Sequence, residues 1–173
     1  MASFRTGPPP IGGAPLAATN GRVKNARKLA RRAFRAEHRL FFAEGPKAVA
    51  SALALPGCVR EVWATPEGTE SYADLVAAAA AAGVAWTLVE DRAMSSLSDA
   101  VHPQGVVATC RFVDRPAEHV LSGALRLVSI CADVRDPGNA GTVIRTSDAA
   151  GADAVLLAGH SVDAYNPKTV RAT

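Results

Sequence analysis

Two polar residues near the carboxyl end of the chain, Asn139 and Arg145, have types and positions that suit the binding of a charged ligand. They follow a Pro-Gly turn at 137–138, after which the pattern predicts a helix over 139–150. We expect Asn139 at the helix N-cap, where the first helical amides can face an anion or the polar edge of a substrate. A simple helix cap explains the same asparagine, so its local pattern leaves both interpretations open.

Arg145 also has two interpretations. It lies three residues before Asp148 on the predicted helix, and the two side chains could form an exposed ion pair that contributes a few tenths of a kcal/mol. Alternatively, the arginine faces a ligand. The local pattern does not choose between these interpretations.

The elements that must position these residues form one strand-helix-strand unit. The pattern predicts a strand over 125–131, a turn over 132–138, a second strand over 154–158, a loop over 159–165, and a helix that starts at Asn166-Pro167. Such a unit also occurs in nucleotide-dependent oxidoreductases, but the turn lacks the GxGxxG pattern that packs a dinucleotide. Detectable binding of a nicotinamide cofactor would be needed to revive that alternative.

The preceding part of the chain alternates strands and helices, as in a small α/β layer. The predicted strands are 40–43, 59–64, 84–89 and 105–113, and the predicted helices are 46–54, 72–82 and 92–97. Residues 114–123 contain a proline and several polar residues and are predicted to form a linker. We therefore expect a flexible tail over 1–21, an α/β domain over 22–113, the linker, and a second domain over 124–173.

Positive charge is concentrated in one segment. Residues 22–39 hold 8 Lys or Arg against one acid, which leaves 11 bases and 15 acids for the rest of the chain. The spacing of apolar residues predicts an amphipathic helix over 23–34, and it can be a solvated charged face or a surface that binds a polyanion. The candidates for polyanion binding are Arg27, Lys28, Arg31, Arg32 and Arg35.

Several classes of protein are disfavoured by the composition. The 173 residues are 49% hydrophobic, which is enough to form α/β cores. The three cysteines are widely spaced in apolar runs and are expected to be buried, and the histidines have no metal-ligand spacing. The amino terminus lacks a signal-peptide pattern, and no run approaches a membrane span. We expect a soluble cytoplasmic protein without a metal.

The stretch 133–151 resembles the first signature motif of the SpoU/TrmH family of RNA ribose 2′-O-methyltransferases. The resemblance is carried by Asp133, Asp136-Pro137-Gly138-Asn139, Gly141, Arg145-Thr146, Asp148 and Gly151. A second stretch, Tyr165-Asn166-Pro167-Lys168 with Arg171-Ala172-Thr173, is similar to the next family segment. In the amino-terminal half, Phe41-Phe42-Ala43-Glu44-Gly45-Pro46-Lys47 and His102-Pro103-Gln104-Gly105-Val106 resemble the small RNA-binding domain of the family.

This resemblance implies a fold and an activity. The fold would be a small amino-terminal α/β RNA-binding domain followed by the first part of a knotted SPOUT-type α/β methyltransferase domain, usually dimeric. The activity would be methylation of ribosomal or transfer RNA with S-adenosylmethionine, which the family binds in loops of the knot. The second and third family motifs have no counterpart before Thr173. We therefore expect the cofactor-binding residues beyond Thr173 and an incomplete catalytic domain in this chain.

The resemblance also assigns roles to single residues. Arg145 and Asn139 would be catalytic, with Arg145 clamping a phosphate and stabilising the ribose oxygen as it loses its proton, since a guanidinium stays protonated up to about pH 12. Asn139 would orient the ribose or Arg145. Lys168 and Arg171 would extend the RNA-binding surface, although both can equally be solvated helix residues. The alternative to an enzyme is a non-catalytic RNA-binding protein.

Overall fold

A computed structural model describes residues 13–173. The chain divides into two compact units at the step from Arg111 to Phe112. Both units combine helices with strands, which confirms the predicted α/β class.

The amino-terminal unit contains a mixed four-stranded sheet with the order β1-β4-β2-β3. β4 pairs antiparallel with both β1 and β2, and β2 pairs parallel with β3. The strands are β1 Leu40–Glu44, β2 Val59–Ala64, β3 Ala85–Leu88 and β4 Val106–Arg111. The helices are α1 Gly21–Ala26, α2 Arg32–His38, α3 Gly45–Ala54, α4 Pro66–Ser71, α5 Ala73–Ala81 and α6 Asp91–Leu97, with a 3-10 turn at Arg27–Ala30.

The core of this unit consists largely of aliphatic side chains on the central strands. Val62 and Ala108 are fully buried, and Trp63 is buried with its Nε1 donating to Thr109 Oγ1 at 2.9 Å. The apolar side of the basic segment packs into the same core through Val23 and Leu29. The cysteines at 58, 110 and 131 are buried free thiols, as predicted.

Two expectations for the amino-terminal segment are wrong. The predicted tail over 1–21 is partly docked, because the Leu16 N–H donates to Leu88 O at 2.9 Å and Leu16 forms a parallel bridge with Val89; residues 1–12 lie outside the described residues. The predicted helix over 23–34 is divided into α1, the 3-10 turn and α2. The break occurs at Arg31, whose backbone is extended with φ −91° and ψ 128°.

The carboxyl-terminal unit contains two parallel strands, β5 Val128–Ala132 and β6 Ala154–Ala158, in which Ile130 pairs with Leu156. Its helices are α7 Ala117–Leu121, α8 Pro137–Ala149 and α9 Pro167–Ala172. The predicted linker thus contains the short helix α7, and the predicted strand over 125–131 begins only at Val128. α8 connects the two strands, so the predicted strand-helix-strand unit is confirmed.

Candidate functional site

Two loops of the carboxyl-terminal unit meet where β5 and β6 end. Because the strands are parallel, their carboxyl ends lie at one edge of the sheet, which is the usual ligand side of such folds. The loops are joined by a hydrogen bond from Val162 N to Val134 O at 2.8 Å and one from Val134 N to Ser161 Oγ at 3.2 Å. The β5–α8 and β6–α9 loops therefore form one connected surface.

Asp133 supports this connection and was not assigned a role from the sequence. Its Oδ1 accepts a hydrogen bond from His160 N at 2.7 Å, and its backbone adopts the left-handed conformation with φ 57°. A Cβ on Gly159 would lie 2.7 Å from the same oxygen, so the turn requires glycine at that position. Aspartate tolerates positive φ better than most residues, and that preference was the available sequence signal.

Asp136, and not Asn139, caps α8. The Asp136 Oδ1 accepts a hydrogen bond from Asn139 N at 2.8 Å, and Pro137 occupies the first helical turn. The predicted N-cap position of Asn139 is therefore wrong. Asn139 lies in the first turn with an exposed side chain. This excludes the simple-cap interpretation and leaves its amide accessible to a ligand.

The capping carboxylate also lies near a cation of α9. Lys168 Nζ is 3.9 Å from Asp136 Oδ2, with 60% and 52% of the two side chains exposed. The Lys168 backbone N–H donates at 2.9 Å to Asn166 Oδ1, which caps α9. Exposed pairs of this kind contribute about 0–1 kcal/mol, so the contact positions Lys168 more than it stabilises the fold.

Gly141 lets α8 and α9 approach closely. A Cβ at this position would lie 2.6 Å from Ala172 Cβ and 2.7 Å from Thr169 O. A Cβ at Gly138, on the same side of α8, would point toward Lys168 Cε at 4.0 Å. Arg145 follows these glycines by four and seven residues, so helical periodicity places it on this face as well.

Arg145 is exposed, and among the described residues its guanidinium has no ion pair or side-chain hydrogen bond. The alternative pair with Asp148 is thus not formed. Asn139 lies about 120° around the helix and about 9 Å along it from Arg145. The structure does not bring the two predicted catalytic side chains onto one face of α8. Lys168 lies closer to the face that carries Arg145 than Asn139 does.

Tyr165 anchors the loop that precedes α9 and was missed as a positioning residue. Its hydroxyl accepts hydrogen bonds from the backbone N–H groups of Val113 and Asp114, and donates to Asp114 Oδ1, each at 2.8 Å. The ring stacks on Phe112 with centroids 3.6 Å apart. Burial, together with the bond to Asp114, raises the pKa of Tyr165 to about 12, so the hydroxyl stays protonated near neutral pH.

The basic segment of the amino-terminal unit presents four of its five predicted contact residues to solvent. These are Arg27, Lys28, Arg31 and Arg32. Arg35 is only 3% exposed, and its Nη1 donates to Leu29 O at 2.8 Å and to Ala30 O at 2.9 Å. The prediction that Arg35 contacts RNA is therefore corrected, because its guanidinium is occupied in closing the 3-10 turn.

Arg171 is exposed on α9, the helix that also carries Lys168. Within residues 13–173, no group of His, Cys, Asp and Glu side chains suits a metal ion. No helix in that range is both long enough and apolar enough to cross a membrane.

Comparison with known proteins connects both units to one kind of enzyme. Residues 20–108 match the MRM3-like substrate binding domain, and residues 126–173 match the SpoU rRNA Methylase family. The chain is 37% identical over 154 residues to the 23S rRNA (guanosine(2553)-2′-O)-methyltransferase RlmP of Bacillus subtilis, covering 89% of this chain and 58% of that protein. It is 37% identical over 98 residues to human mitochondrial rRNA methyltransferase 3, covering 52% and 22%.

Solved structures show the same relationship. An rRNA methyltransferase from Sinorhizobium meliloti aligns with a TM-score of 0.76 and 32% identity, covering 91% of this chain and 59% of that one. Its AdoMet-bound form aligns with a TM-score of 0.74 and 33% identity, covering 89% and 57%. The chain thus spans somewhat less than three fifths of the length of the B. subtilis and S. meliloti proteins and 22% of the human one. As the signature at 133–151 predicted, the chain belongs to the SpoU family of rRNA methylases.

Proposed function

We propose that this chain supplies the RNA-binding side of an enzyme that methylates ribose 2′-hydroxyls of ribosomal RNA with S-adenosylmethionine. Residues 22–113 would bind the RNA, and residues 124–173 would contribute part of the methyltransferase domain. The names of the B. subtilis and human relatives support rRNA as the substrate class. The cytoplasmic location expected from the composition and the homodimeric assembly implied by the family form part of this proposal.

The observation that carries the proposal is the exposed Arg145 on the α8 face that adjoins α9. Its charge is not neutralised by an ion pair within the described part of the chain, and Lys168 lies near the start of the same face. Two cations along one helix face suit the phosphates on either side of a target ribose. Arg145 would also stabilise the negative charge that develops on the 2′-oxygen, because guanidinium remains protonated up to about pH 12.

Asn139 would act separately from Arg145. Its exposed amide is placed about 120° from Arg145 around α8, so it would contact the ribose or base directly instead of orienting the arginine. Arg171 would add positive charge on α9. On the amino-terminal unit, Arg27, Lys28, Arg31 and Arg32 would bind phosphates farther along the RNA.

We infer that the polar side chains at the sheet edge serve the fold and do not hold S-adenosylmethionine. Asp133 accepts a hydrogen bond from His160 N, and the Ser161 hydroxyl accepts one from Val134 N, which joins the two loops. Asp136 accepts from Asn139 N and caps α8. We therefore assign the residues of this chain to the substrate and derive no step that involves the cofactor.

The test is transfer of labelled methyl groups by the full-length protein to a 23S rRNA transcript. Replacing Arg145 with alanine should lower turnover by at least about 100-fold, the usual effect of removing a group that stabilises developing charge. Asp148→Ala, on the same exposed helix, is the matched control and should retain activity. Near-normal turnover of Arg145→Ala would contradict the assignment.

The exposed basic segment also supports a second candidate, an RNA-binding protein without catalysis. Titration calorimetry of the 173-residue chain measures RNA binding and cofactor binding separately. RNA binding should weaken steeply with salt, and S-adenosylmethionine should show no saturable binding. Tight cofactor binding would refute the assignment of this chain to the RNA side alone. A full-length protein that binds RNA but transfers no methyl groups would favour the second candidate.

A further inference from the structure

A polar cleft of about 420 Å³ opens in the amino-terminal unit, within the domain proposed to bind RNA. Its walls come from α4, from α6 and from the loop that precedes β4. The side chains with functional groups that line it include Glu67, Tyr72, Asp91 and Gln104. Neither the basic segment nor the α8 surface contributes to this lining, so the cleft needs its own explanation.

The rim of the cleft is held by close backbone contacts. The Thr65 N–H donates to Gly105 O at 3.0 Å, and the Thr65 Oγ1 accepts from Gly68 N at 3.0 Å. A Cβ on Gly68 would lie 2.4 Å from Gly105 O, so a side chain at Gly68 would force the backbone to rearrange. The backbone segments at Gly68 and Gly105 are therefore held in close contact. The cleft is therefore formed before any ligand arrives, which lowers the entropic cost of binding.

The lining offers hydrogen-bond acceptors beside apolar and aromatic surface. In the range that the structure describes, the side chains of Glu67, Asp91, Tyr72 and Gln104 make no ion pair or hydrogen bond. Met94 and Pro103 provide apolar surface, and Tyr72 is half-buried. Two unpaired carboxylates exclude a phosphate from the cleft, because like charges repel.

The cleft adjoins the basic segment through α6. Met94 lines the cleft and also belongs to the core cluster that contains Leu29 of the 3-10 turn, with Phe34 of α2 packed against it. The cleft and the basic segment thus belong to one compact unit, and the inference requires one RNA to place phosphates on the basic segment and a base at the cleft. Unpaired bases are commonly bound by proteins through stacking on aromatic rings and hydrogen bonds to their Watson–Crick edges.

We infer that the cleft binds an unpaired guanine of the substrate RNA, an inference that rests on the proposed function. The guanine ring N–H and amino group are adjacent donors that match a carboxylate, so Glu67 accepts from this edge, and Asp91 adds a second acceptor in the cleft. Tyr72 stacks on the base, and the Gln104 amide contacts its remaining polar atoms. Uracil lacks the amino group and fits this set of acceptors less well.

The sign of the effect separates this role from general electrostatics. Removing a negative charge from a protein that binds a polyanion strengthens binding if the acid does not contact the RNA. Removing a carboxylate that accepts from guanine weakens binding instead. Glu67 and Glu70 lie on the same helix and are both exposed, but only Glu67 lines the cleft.

The experiment titrates the 173-residue chain into a fluorescein-labelled RNA hairpin whose uridine loop contains a single guanosine. A second hairpin carries inosine, which lacks the amino group. Glu67→Gln should weaken binding to the guanosine hairpin about tenfold, within the range for one bidentate base contact, and should reduce the preference over inosine. Glu70→Gln should bind as tightly as the unmodified chain or more tightly. Asp91→Asn should weaken the same preference, and Tyr72→Ala, which removes the stacking ring, should weaken binding to both hairpins alike, with thermal unfolding as the folding check.

Equal effects of Glu67→Gln and Glu70→Gln, with the guanosine preference intact, would overturn the inference while RNA binding itself stands. Binding of an arginine-rich peptide that is lost in Glu67→Gln, with RNA affinity unchanged, would assign the cleft to a protein partner and also overturn it. If the chain binds neither hairpin and Arg31→Ala changes nothing, RNA binding fails and the proposed function falls with it.

Discussion

The close contact at Gly141 predicts that replacing this glycine with alanine undocks α9. In an open helix, Gly→Ala stabilises by up to about 1 kcal/mol, because alanine has the higher helix propensity. Here the new methyl would overlap Thr169 O and Ala172 Cβ, at 2.7 and 2.6 Å. The carbonyl is backbone and has no rotamer by which to move aside, so α9 itself must shift.

The magnitude follows from opposing these two effects. Overpacking of a close contact costs about 1–3 kcal/mol. This cost is larger than the gain in helix propensity, which is up to about 1 kcal/mol. α9 has only six residues and is stabilised mainly by packing, since isolated helices of this length are not stable in water. We therefore expect a net destabilisation of about 1–2 kcal/mol that is concentrated in α9.

Hydrogen exchange measured by mass spectrometry tests this prediction locally. The amides of Val170 and Thr173, which bond to Asn166 O and Thr169 O, should exchange roughly 5- to 30-fold faster in Gly141→Ala. Amides of the β1–β4 ladder should be unchanged. Tryptophan fluorescence is a poor probe, because both tryptophans, Trp63 and Trp86, lie in the amino-terminal unit.

The control is Gly21→Ala, at a helical glycine with open space around its Cβ position. It should leave α9 exchange unaltered and stabilise the chain slightly. If the α9 amides exchange more slowly or at the same rate in Gly141→Ala, the close contact at Gly141 does not hold α9 in place. The close approach at Gly141 would then not be what keeps α9, with Lys168, against α8.

Two further predictions test how charges are used in each unit. Asp136→Asn should keep the α8 cap, since Asn and Asp cap equally well, but should release Lys168. RNA affinity should therefore rise, and the free energy of unfolding should change by less than about 1 kcal/mol. A loss of stability equal to that of Asp136→Ala would show that the cap needs the charge. Arg35→Ala should lower the free energy of unfolding by about 1–3 kcal/mol, because Leu29 O and Ala30 O lose their donor. Arg31→Ala should keep stability and flatten the salt dependence of RNA binding, measured by titration at two salt concentrations. The opposite pattern in the two variants would refute a structural role for Arg35 and an RNA-binding role for Arg31.

The parts of the fold set by local pattern were predictable from the sequence. The strands at 59–64 and 154–158 are confirmed with the same bounds, because runs rich in valine and other apolar residues between glycine- or proline-containing turns favour strands. Extra helical residues were missed at the start of α8, where Pro137 was taken as part of the turn although proline favours the first helical turn. The tail was misjudged because its composition did not reveal that Leu16 completes the edge beside β3.

The features that the sequence pattern could not predict depend on contacts between residues far apart in the chain. Arg35 and Arg31 look equivalent in a run of bases, and only the fold shows that one guanidinium is buried against Leu29 O while the other is exposed. The cleft at Glu67 and Gln104 joins residues that are far apart in sequence, so no local motif marks it. The same holds for Tyr165, whose partners are about fifty residues earlier in the chain.

The predicted cap at Asn139 shows how a wrong local assignment can conceal a candidate contact residue. If the Asn139 side chain satisfied the helix amides, it would be unavailable to a substrate, and the residue would need no further explanation. With Asp136 in that position, the amide of Asn139 is exposed and has no structural duty among the described hydrogen bonds. The carboxylate takes the cap and the contact with Lys168, so the negative charge at this edge is already engaged. The helix then presents Asn139 on one side and Arg145 on another, which is the arrangement that the two separate RNA contacts we propose require.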